Sequence, residues 1–366
     1  MKIALVHDYL NEAGGAERVL RVLADMYPTA PIYTAFIKNG TARAMFTGRE
    51  LHESSWGWIL KIGRLYSYLR FLLPWIWGSI DLSSYDLVIT STSGGYIARG
   101  FRVSEKTRVI AYCHTPPKWL YGYETPTGAA NKWWGRLFNY VFGPPLRYFD
   151  YVSAQRVNTW IANSMEVASR IKKFYRRDAV VVYPPVEAKG RSRKVQVKRD
   201  YYLLVTRITG AKGVTEVIEA AKKGGFKLKL VGEIIEKRLE KVISKTRKNI
   251  EYLGRVSDDE LGRLYANARG FIALARDEDF GMTVVEAMGY GTPVLALKSG
   301  GYKETVKPGM GILIDDVNVE SVLKGVARME KMKWNYKKMR DWGDGFSRAR
   351  FEKEIGKVVN ARTTRS

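Results

Sequence analysis

Short apolar runs return along this chain with the spacing of strands that alternate with helices. In the first half they are Ile3–Val6, Leu87–Thr90, Val109–Tyr112, Trp160–Ala162 and Val180–Tyr183. In the second they are Tyr202–Val205, Leu228–Val231, Ile250–Leu253, Phe271–Leu274, Val294–Leu297 and Ile312–Ile314. Between them lie helical patterns such as Val19, Val22, Leu23 and Met26, apolar at i, i+3, i+4 and i+7. This alternation predicts an α/β fold of parallel sheets covered by helices on both faces. A chain of 366 residues is longer than one core usually serves, so two domains are expected. The periodic pattern breaks at Tyr183-Pro184-Pro185 and the basic stretch Lys189 to Arg199, which places a linker at 186–199 between domains at 1–185 and 200–345.

Ligands of open parallel sheets bind at the carboxyl ends of the strands, so the residues that follow each run are the candidates for chemistry. After Phe271–Leu274 the chain reads EDFGMTVVE, with Glu278 and Glu286 at its two ends. Gly281 would let the backbone approach a ligand, and the amides of Met282, Thr283 and Val284 would be the unpaired donors of a new helix. Such amides, with the helix dipole, favour an anion such as phosphate. Glu286 is expected in the first helical turn, ionised and able to accept from a vicinal diol such as ribose. Glu278, before the turn, can accept sugar hydroxyls. The plainer reading makes Glu286 a complement to a helix N-terminus and Glu278 a surface acid, and two glutamates at one spacing do not decide between these.

Other strand ends carry further candidates. His7-Asp8-Tyr9 follows the first strand, and Gly14-Gly15 opens the helix that carries Val19 to Met26. The dinucleotide pattern G-x-G-x-x-G is absent there, which disfavours a nicotinamide enzyme. His114, at the end of Val109–Tyr112 and braced by Pro116 and Pro117, can hydrogen-bond a sugar hydroxyl or polarise a reacting centre, or be merely structural. Arg207 and Lys212 follow Tyr202–Val205 and can together neutralise a leaving diphosphate, although in so basic a chain two cations can equally be solvated surface.

Sixty-one basic against 37 acidic residues leave a net charge of +24, which implies attraction to nucleotide phosphates, nucleic acid or an anionic membrane. The basic residues are scattered and no RNA-binding or zinc-finger signature accompanies them, so no nucleic-acid partner is expected. One cysteine, Cys113, rules out an internal disulfide framework and fits a reducing compartment. The three histidines, His7, His52 and His114, form no pair with metal-ligand spacing, so no metal is expected. Two glutamines alone, Gln155 and Gln196, hint at a thermophilic source. The N-terminus reads as a strand rather than a secretory signal, and no apolar span is long enough to cross a bilayer. A cytoplasmic protein, soluble or peripheral on the membrane, is the expectation.

Residues 56–80 are aromatic, basic and free of acids between Glu53 and Asp81. Ile62, Leu65, Tyr66, Leu69, Leu72 and Leu73 would line one helical face, with Arg64 and Ser67 opposite and Lys61 and Arg70 flanking. That pattern fits a helix lying in an anionic membrane interface and equally a core helix of the first domain.

The stretch ARDEDFGMTVVEAMGYGTPVLALKSGGYKETVKPGMGILI resembles the C-terminal motif of the family 4 glycosyltransferases, retaining enzymes of the GT-B fold. The matching residues are Glu278, Glu286, Ala287, Met288, Gly291, Pro293, Val294, Gly300, Gly301 and Glu304. The resemblance implies two Rossmann-like domains with the active site in the cleft between them, and a final helix, 346–366, that crosses back to the first. It implies a donor site of Gly15, Arg207, Lys212, Gly232, Arg255, Val256, Glu278, Phe280, Gly281, Met282, Thr283 and Glu286, with Arg207 and Lys212 as the diphosphate clamp. His7, Tyr9 and Gly14 are the acceptor-side candidates, and His114, Arg207, Lys212 and Glu278 the catalytic ones. HTPPKWLY is similar to the H-T-P motif of members that transfer mannose, where the histidine sits beside the donor sugar. Members with that motif more often continue Met-Arg-Tyr, whereas this chain has Pro117-Lys118-Trp119, a change that bears on sugar and acceptor choice. Retaining transfer of a hexose from a GDP- or UDP-linked donor to a glycan or lipid-linked acceptor is therefore implied, with no cofactor and no metal. A GT-B epimerase or phosphorylase, and a basic nucleic-acid-binding protein, are the rival readings.

Overall fold

The computed structural model describes residues 1–11, 14–38, 40–62, 65–123, 133–186, 199–244 and 248–361. Most of the basic linker expected at 186–199, and Arg64, lie outside the described residues. The chain divides into two compact units: residues 1–123, 130–184 and 349–366 form the first, and 185–348 belong to the second.

In the first unit seven parallel strands stand in the order β3-β2-β1-β4-β5-β6-β7. They are β1 (Ile3–His7), β2 (Ile32–Thr34), β3 (Leu51–Glu53), β4 (Leu87–Thr92), β5 (Arg108–Cys113), β6 (Thr159–Ala162) and β7 (Ala179–Val181). Alternate residues feed two cores, as a pleated sheet covered on both faces requires. Ala4, Val6, Val88, Val109 and Ala111 meet Leu73, Ile76, Trp77 and Ile171 on one face. Leu5, Ile89, Ile110 and Tyr112 meet Val19, Leu20 and Leu23 on the other. Phe351, Ile355 and Val359, from the Arg348–Asn360 helix, complete that second core.

The second unit is a six-stranded parallel sheet in the order β10-β9-β8-β11-β12-β13. Its strands are β8 (Tyr201–Val205), β9 (Leu228–Val231), β10 (Ile250–Tyr252), β11 (Ala268–Ala273), β12 (Val294–Leu297) and β13 (Gly311–Ile314). Both sheets thus run outward one way from their first strand and then reverse. The reversal falls between β1 and β4 in one unit and between β8 and β11 in the other. Crevices at such reversals are where open α/β sheets bind ligands.

Two expectations need correction. β2 and β3 are absent from the apolar runs, because each has three residues with a polar or aromatic one, Tyr33 or His52, at its centre. Residues 56–80 do not form one helix. They break into the Gly57–Lys61 helix, the 3-10 segment Leu65–Leu72 and the Leu73–Gly78 helix. The break lets Leu60, Leu73, Ile76 and Trp77 enter the core while Trp58, Ile62, Tyr68 and Trp75 stay outside, so the expected single face is divided.

Candidate active site

In the second unit the chain leaves β9, β8, β11 and β12 along one edge of the sheet. β8 ends at Val205 and is followed by exposed Arg207 and the turn Gly210–Lys212. Lys212 Nζ lies 2.7 Å from Glu278 Oε2, which follows β11, so the ion pair spans the reversal between β8 and β11. Beside it, Gly232 has φ of 135°, and a Cβ there would stand 1.8 Å from the carbonyl oxygen of Thr206. Glycine alone lets the exits of β9 and β8 pass so closely. Glu233 then pairs with Arg255 at 2.8 Å, both well exposed, and Val256 is half-buried next to them.

The loop carrying Glu278 is held from below. Gly301 N–H donates to Glu278 O at 2.9 Å, and a Cβ on Gly300 would come within 2.1 Å of that same oxygen. The glycine pair after β12 is therefore a platform for Glu278. Gly281 has φ of 87°, and the space where its Cβ would lie is filled by the ring of Tyr302 at 2.7 Å rather than open to a ligand. Burial and nearby Glu278 and Asp279 push the Tyr302 phenol far above its ordinary pKa, so it remains a neutral donor. Phe280 is buried against Phe346, with ring centroids 5.6 Å apart, and acts through packing.

Two details differ from the sequence reading. The helix spans Met282–Gly289, so Glu286 stands in its second turn and no acid occupies the first. Val284 N–H donates to Gly281 O at 3.0 Å, which leaves Met282 and Thr283 as the amides at the helix mouth. Glu286 is buried, and Tyr265 OH donates to its Oε2 at 2.9 Å. Tyr265 in turn stacks on Tyr290. The carboxylate is thereby held in place by side chains rather than by the dipole of a first turn.

In the first unit, Gly14 precedes the Gly15–Met26 helix, and its N–H donates to Glu17 Oε2 at 2.9 Å. His7, expected on the acceptor side, is completely buried at the end of β1. Tyr9 is half-buried, stacked on Phe36 and edge-on to Tyr96. Asp8 is also sealed from solvent. It accepts from the backbone N–H groups of Gly95, Tyr96 and Ala98 at 2.8, 3.0 and 2.9 Å, and from Ser93 Oγ at 2.9 Å. That loop holds Ile97 at a φ of 53°, a strained backbone for a β-branched residue. A Cβ on Gly94 would collide with the carbonyl oxygens of Thr115 and Pro116, so the loop packs on the backbone that follows His114. Trp119 closes the same corner by donating to Gly94 O at 3.1 Å. The departure at Pro117-Lys118-Trp119 is thus a brace for the histidine loop.

His114 is nearly buried, and its Nε2 lies 3.0 Å from Ser91 Oγ. Burial, helped by repulsion from His7, lowers its pKa to about 3. The opposite holds for His7: burial works against its charge, but Glu17 and Asp8 outweigh it and raise the pKa. A pH dependence follows. The native state holds His114 neutral and the unfolded chain protonates it near 6.5, so its contribution is intact above about pH 6.5 and falls by up to roughly 1.4 kcal/mol per unit below that. His7 contributes in the other window, fully below its unfolded pKa and less as pH rises through its folded one. Urea denaturation between pH 6.5 and 5 is expected to show a shallower loss in His114→Asn than in the wild type; parallel curves would contradict the burial argument.

Two family models match the chain, Glycosyltransferase Family 4 over residues 13–189 and Glycosyl transferases group 1 over residues 186–345. The chain is a family 4 glycosyltransferase of the GT-B fold. An uncharacterized glycosyltransferase of Methanocaldococcus jannaschii is 29% identical over 183 residues, 49% of this chain and 51% of that relative. The match therefore spans about half of that relative's length. The GDP-Man:Man(3)GlcNAc(2)-PP-Dol alpha-1,2-mannosyltransferase of Dictyostelium discoideum is 26% identical, with 55% of this chain and 45% of that protein aligned. Among solved structures, HepE of Anabaena in complex with UDP and glucose superposes with a TM-score of 0.69 at 18% identity, covering 99% of this chain and 100% of that one.

The motifs of this glycosyltransferase name Lys212, Glu278 and Glu286 but not the residues that hold them. Tyr265, Tyr302, Asp8, Ser91 and Glu17 had no assigned role. The one available signal was Asp8, an acid placed directly after an apolar strand, where a buried carboxylate needs several donors.

Proposed function

We propose that this glycosyltransferase moves a hexose, mannose first among candidates, from a nucleotide-diphosphate donor to a glycan or lipid-linked acceptor, with retention and without a metal. The observation that carries the reading is the Lys212–Glu278 pair at the reversal between β8 and β11, with Arg207 on the same β8 exit. Arg207 and Lys212 neutralise the departing diphosphate, aided by the Met282 and Thr283 amides. Glu278 accepts from sugar hydroxyls and Glu286 from the ribose, while Gly232, Arg255 and Val256 line the nucleoside. His114 is assigned to a hydroxyl of the donor sugar, and the Gly14-Gly15 turn to a phosphate or the acceptor, both on the strength of the family resemblance. In the transfer, the bond from C1 to the diphosphate oxygen breaks, the acceptor oxygen attacks the same face, and its proton passes to the leaving phosphate.

Mannose and GDP are supported by the H-T-P sequence at His114 and by the name of the Dictyostelium relative; the HepE complex holds UDP instead. Calorimetric titration with GDP, UDP and ADP, with and without EDTA, decides the base. GDP is expected to bind selectively in either condition, and Glu286→Ala to weaken it about tenfold or more, the value of hydrogen bonds to a charged acceptor. Equal affinity for all three, or an unchanged affinity in the variant, would remove the assignment.

A lipid-linked acceptor fits the surface of the first unit. Trp58, Ile62 and Trp75 are exposed there, and the Trp133–Gln155 helix turns Trp133, Leu137, Tyr140 and Tyr148 to solvent, with Tyr140 82% exposed. Stacking of Phe71 on Phe142 at 5.1 Å joins these two regions. Arg136 and Arg147 are exposed on the helix, whose sole acid, Asp150, is buried in an ion pair with Arg99. Aromatic rings with cations and no exposed acid suit the interface of an anionic membrane. Sedimentation with phosphatidylglycerol vesicles is expected to carry the protein down, and Trp133→Glu with Tyr140→Glu to release it; retention of the double variant would sink this surface. No described helix is long and apolar enough to cross a membrane.

A further inference from the structure

Behind His114 runs a buried chain of polar groups that the proposed transfer does not use. Ser91 Oγ lies 3.0 Å from His114 Nε2 and 3.2 Å from His7 Nδ1. The same His7 Nδ1 is 2.8 Å from the carbonyl oxygen of Ser91, and His7 Nε2 is 3.6 Å from Glu17 Oε1, the distance of a charge contact. A carbonyl oxygen only accepts, so Nδ1 of His7 must carry a hydrogen. Toward His7 the Ser91 hydroxyl therefore meets a donor and can only accept. Its own hydrogen is left to point at His114 Nε2. A neutral imidazole has one N–H, so with Nε2 accepting, that hydrogen sits on Nδ1. In the reverse arrangement, with His114 Nε2–H donating, the buried Ser91 hydrogen would have no acceptor among the described residues, at the cost of an unmade hydrogen bond.

We infer that Glu17, His7 and Ser91 are positioning residues that hold His114 as its neutral Nδ1–H tautomer, so that the ring nitrogen opposite Ser91 is a hydrogen-bond donor and not a base. The lowered pKa of His114 keeps it neutral at every working pH, in agreement with this assignment. The role rests on the proposed contact of His114 with the donor sugar. There, an N–H suits a hydroxyl oxygen or an oxygen gaining negative charge, and leaves deprotonation of the acceptor to the phosphate.

Nitrogen-15 NMR of histidine-labelled full-length protein tests it, because the chain has only His7, His52 and His114, and His52→Gln and His114→Asn assign the signals. At pH 7 His114 is expected to show a protonated Nδ1 and an unprotonated Nε2. A protonated Nε2 overturns the inference, whatever the variants do. Ser91→Ala is expected to give a mixture of tautomers and a roughly ten- to hundredfold lower kcat, with GDP affinity unchanged, and Ser91→Thr, which keeps a hydroxyl, to restore both. An unaltered tautomer and kcat in Ser91→Ala would equally overturn it. The tautomer is read without nucleotide, so failure of GDP to bind would count against the proposed transfer alone.

Discussion

Lys212→Ala is expected to lower transfer by about two to three orders of magnitude, the usual cost of removing one preorganised group that meets developing charge. The ammonium is a compact cation, held 2.7 Å from Glu278 on a turn whose following residue, Gly213, is locked at a φ of 69°. Little reorganisation is then needed when the diphosphate departs. Stability should change far less. Both partners remain about one-fifth exposed, at 23% and 20%, and solvent screening limits such a pair to on the order of 1 kcal/mol. Two roles are separable by comparison with Glu278→Gln. If Lys212 acts on the diphosphate, Lys212→Ala weakens GDP binding while Glu278→Gln leaves it and impairs use of the sugar. If Lys212 only holds Glu278 in place, the two variants and their combination lose the same activity and none loses GDP affinity. That second pattern would take the lysine out of the diphosphate clamp.

The strands buried on both faces were legible because hydrophobic burial writes itself into continuous apolar runs, as in Leu228–Val231 and Val294–Leu297. β2 and β3 were not, since Tyr33 and His52 stack on each other across them and short strands near a sheet edge need no apolar run. Motif spacing named Lys212 and Glu278 one by one, but 66 residues separate them, and only the strand order puts them side by side. Glu286 was placed a turn too early although the helix starts at Met282 as expected, because at 3.6 residues per turn the fifth helical position already belongs to the second turn. His7 shows a further limit. A histidine after an apolar strand reads as a candidate for the surface, and its complete burial depends on Ser91 and Glu17, which come from other elements. The aromatic stretch 56–80 failed as a single helix because its apolar residues serve both the core and the outside.

Asp8→Ala should be among the most destabilising single changes in the first unit. It would leave the N–H groups of Gly95, Tyr96 and Ala98 without their acceptor inside a loop that has no water-facing alternative for the buried Tyr96 and Ala98. Each orphaned donor costs about 1–3 kcal/mol, and the loop already carries the strain of Ile97, so a loss of roughly 3–5 kcal/mol is expected. Asp8→Asn should fall between, because its amide keeps one oxygen for part of the set and turns an NH2 toward the rest. Eight of the ten tryptophans belong to residues 1–184, so the urea transition followed by tryptophan fluorescence reports mainly on this unit. The loop packs on Thr115 and Pro116, so transfer should fall together with stability through displacement of His114, while GDP binding by the second unit persists. A transition at the wild-type urea concentration would show that the loop holds its shape without Asp8, and the carboxylate would then have to be explained by ligand binding instead.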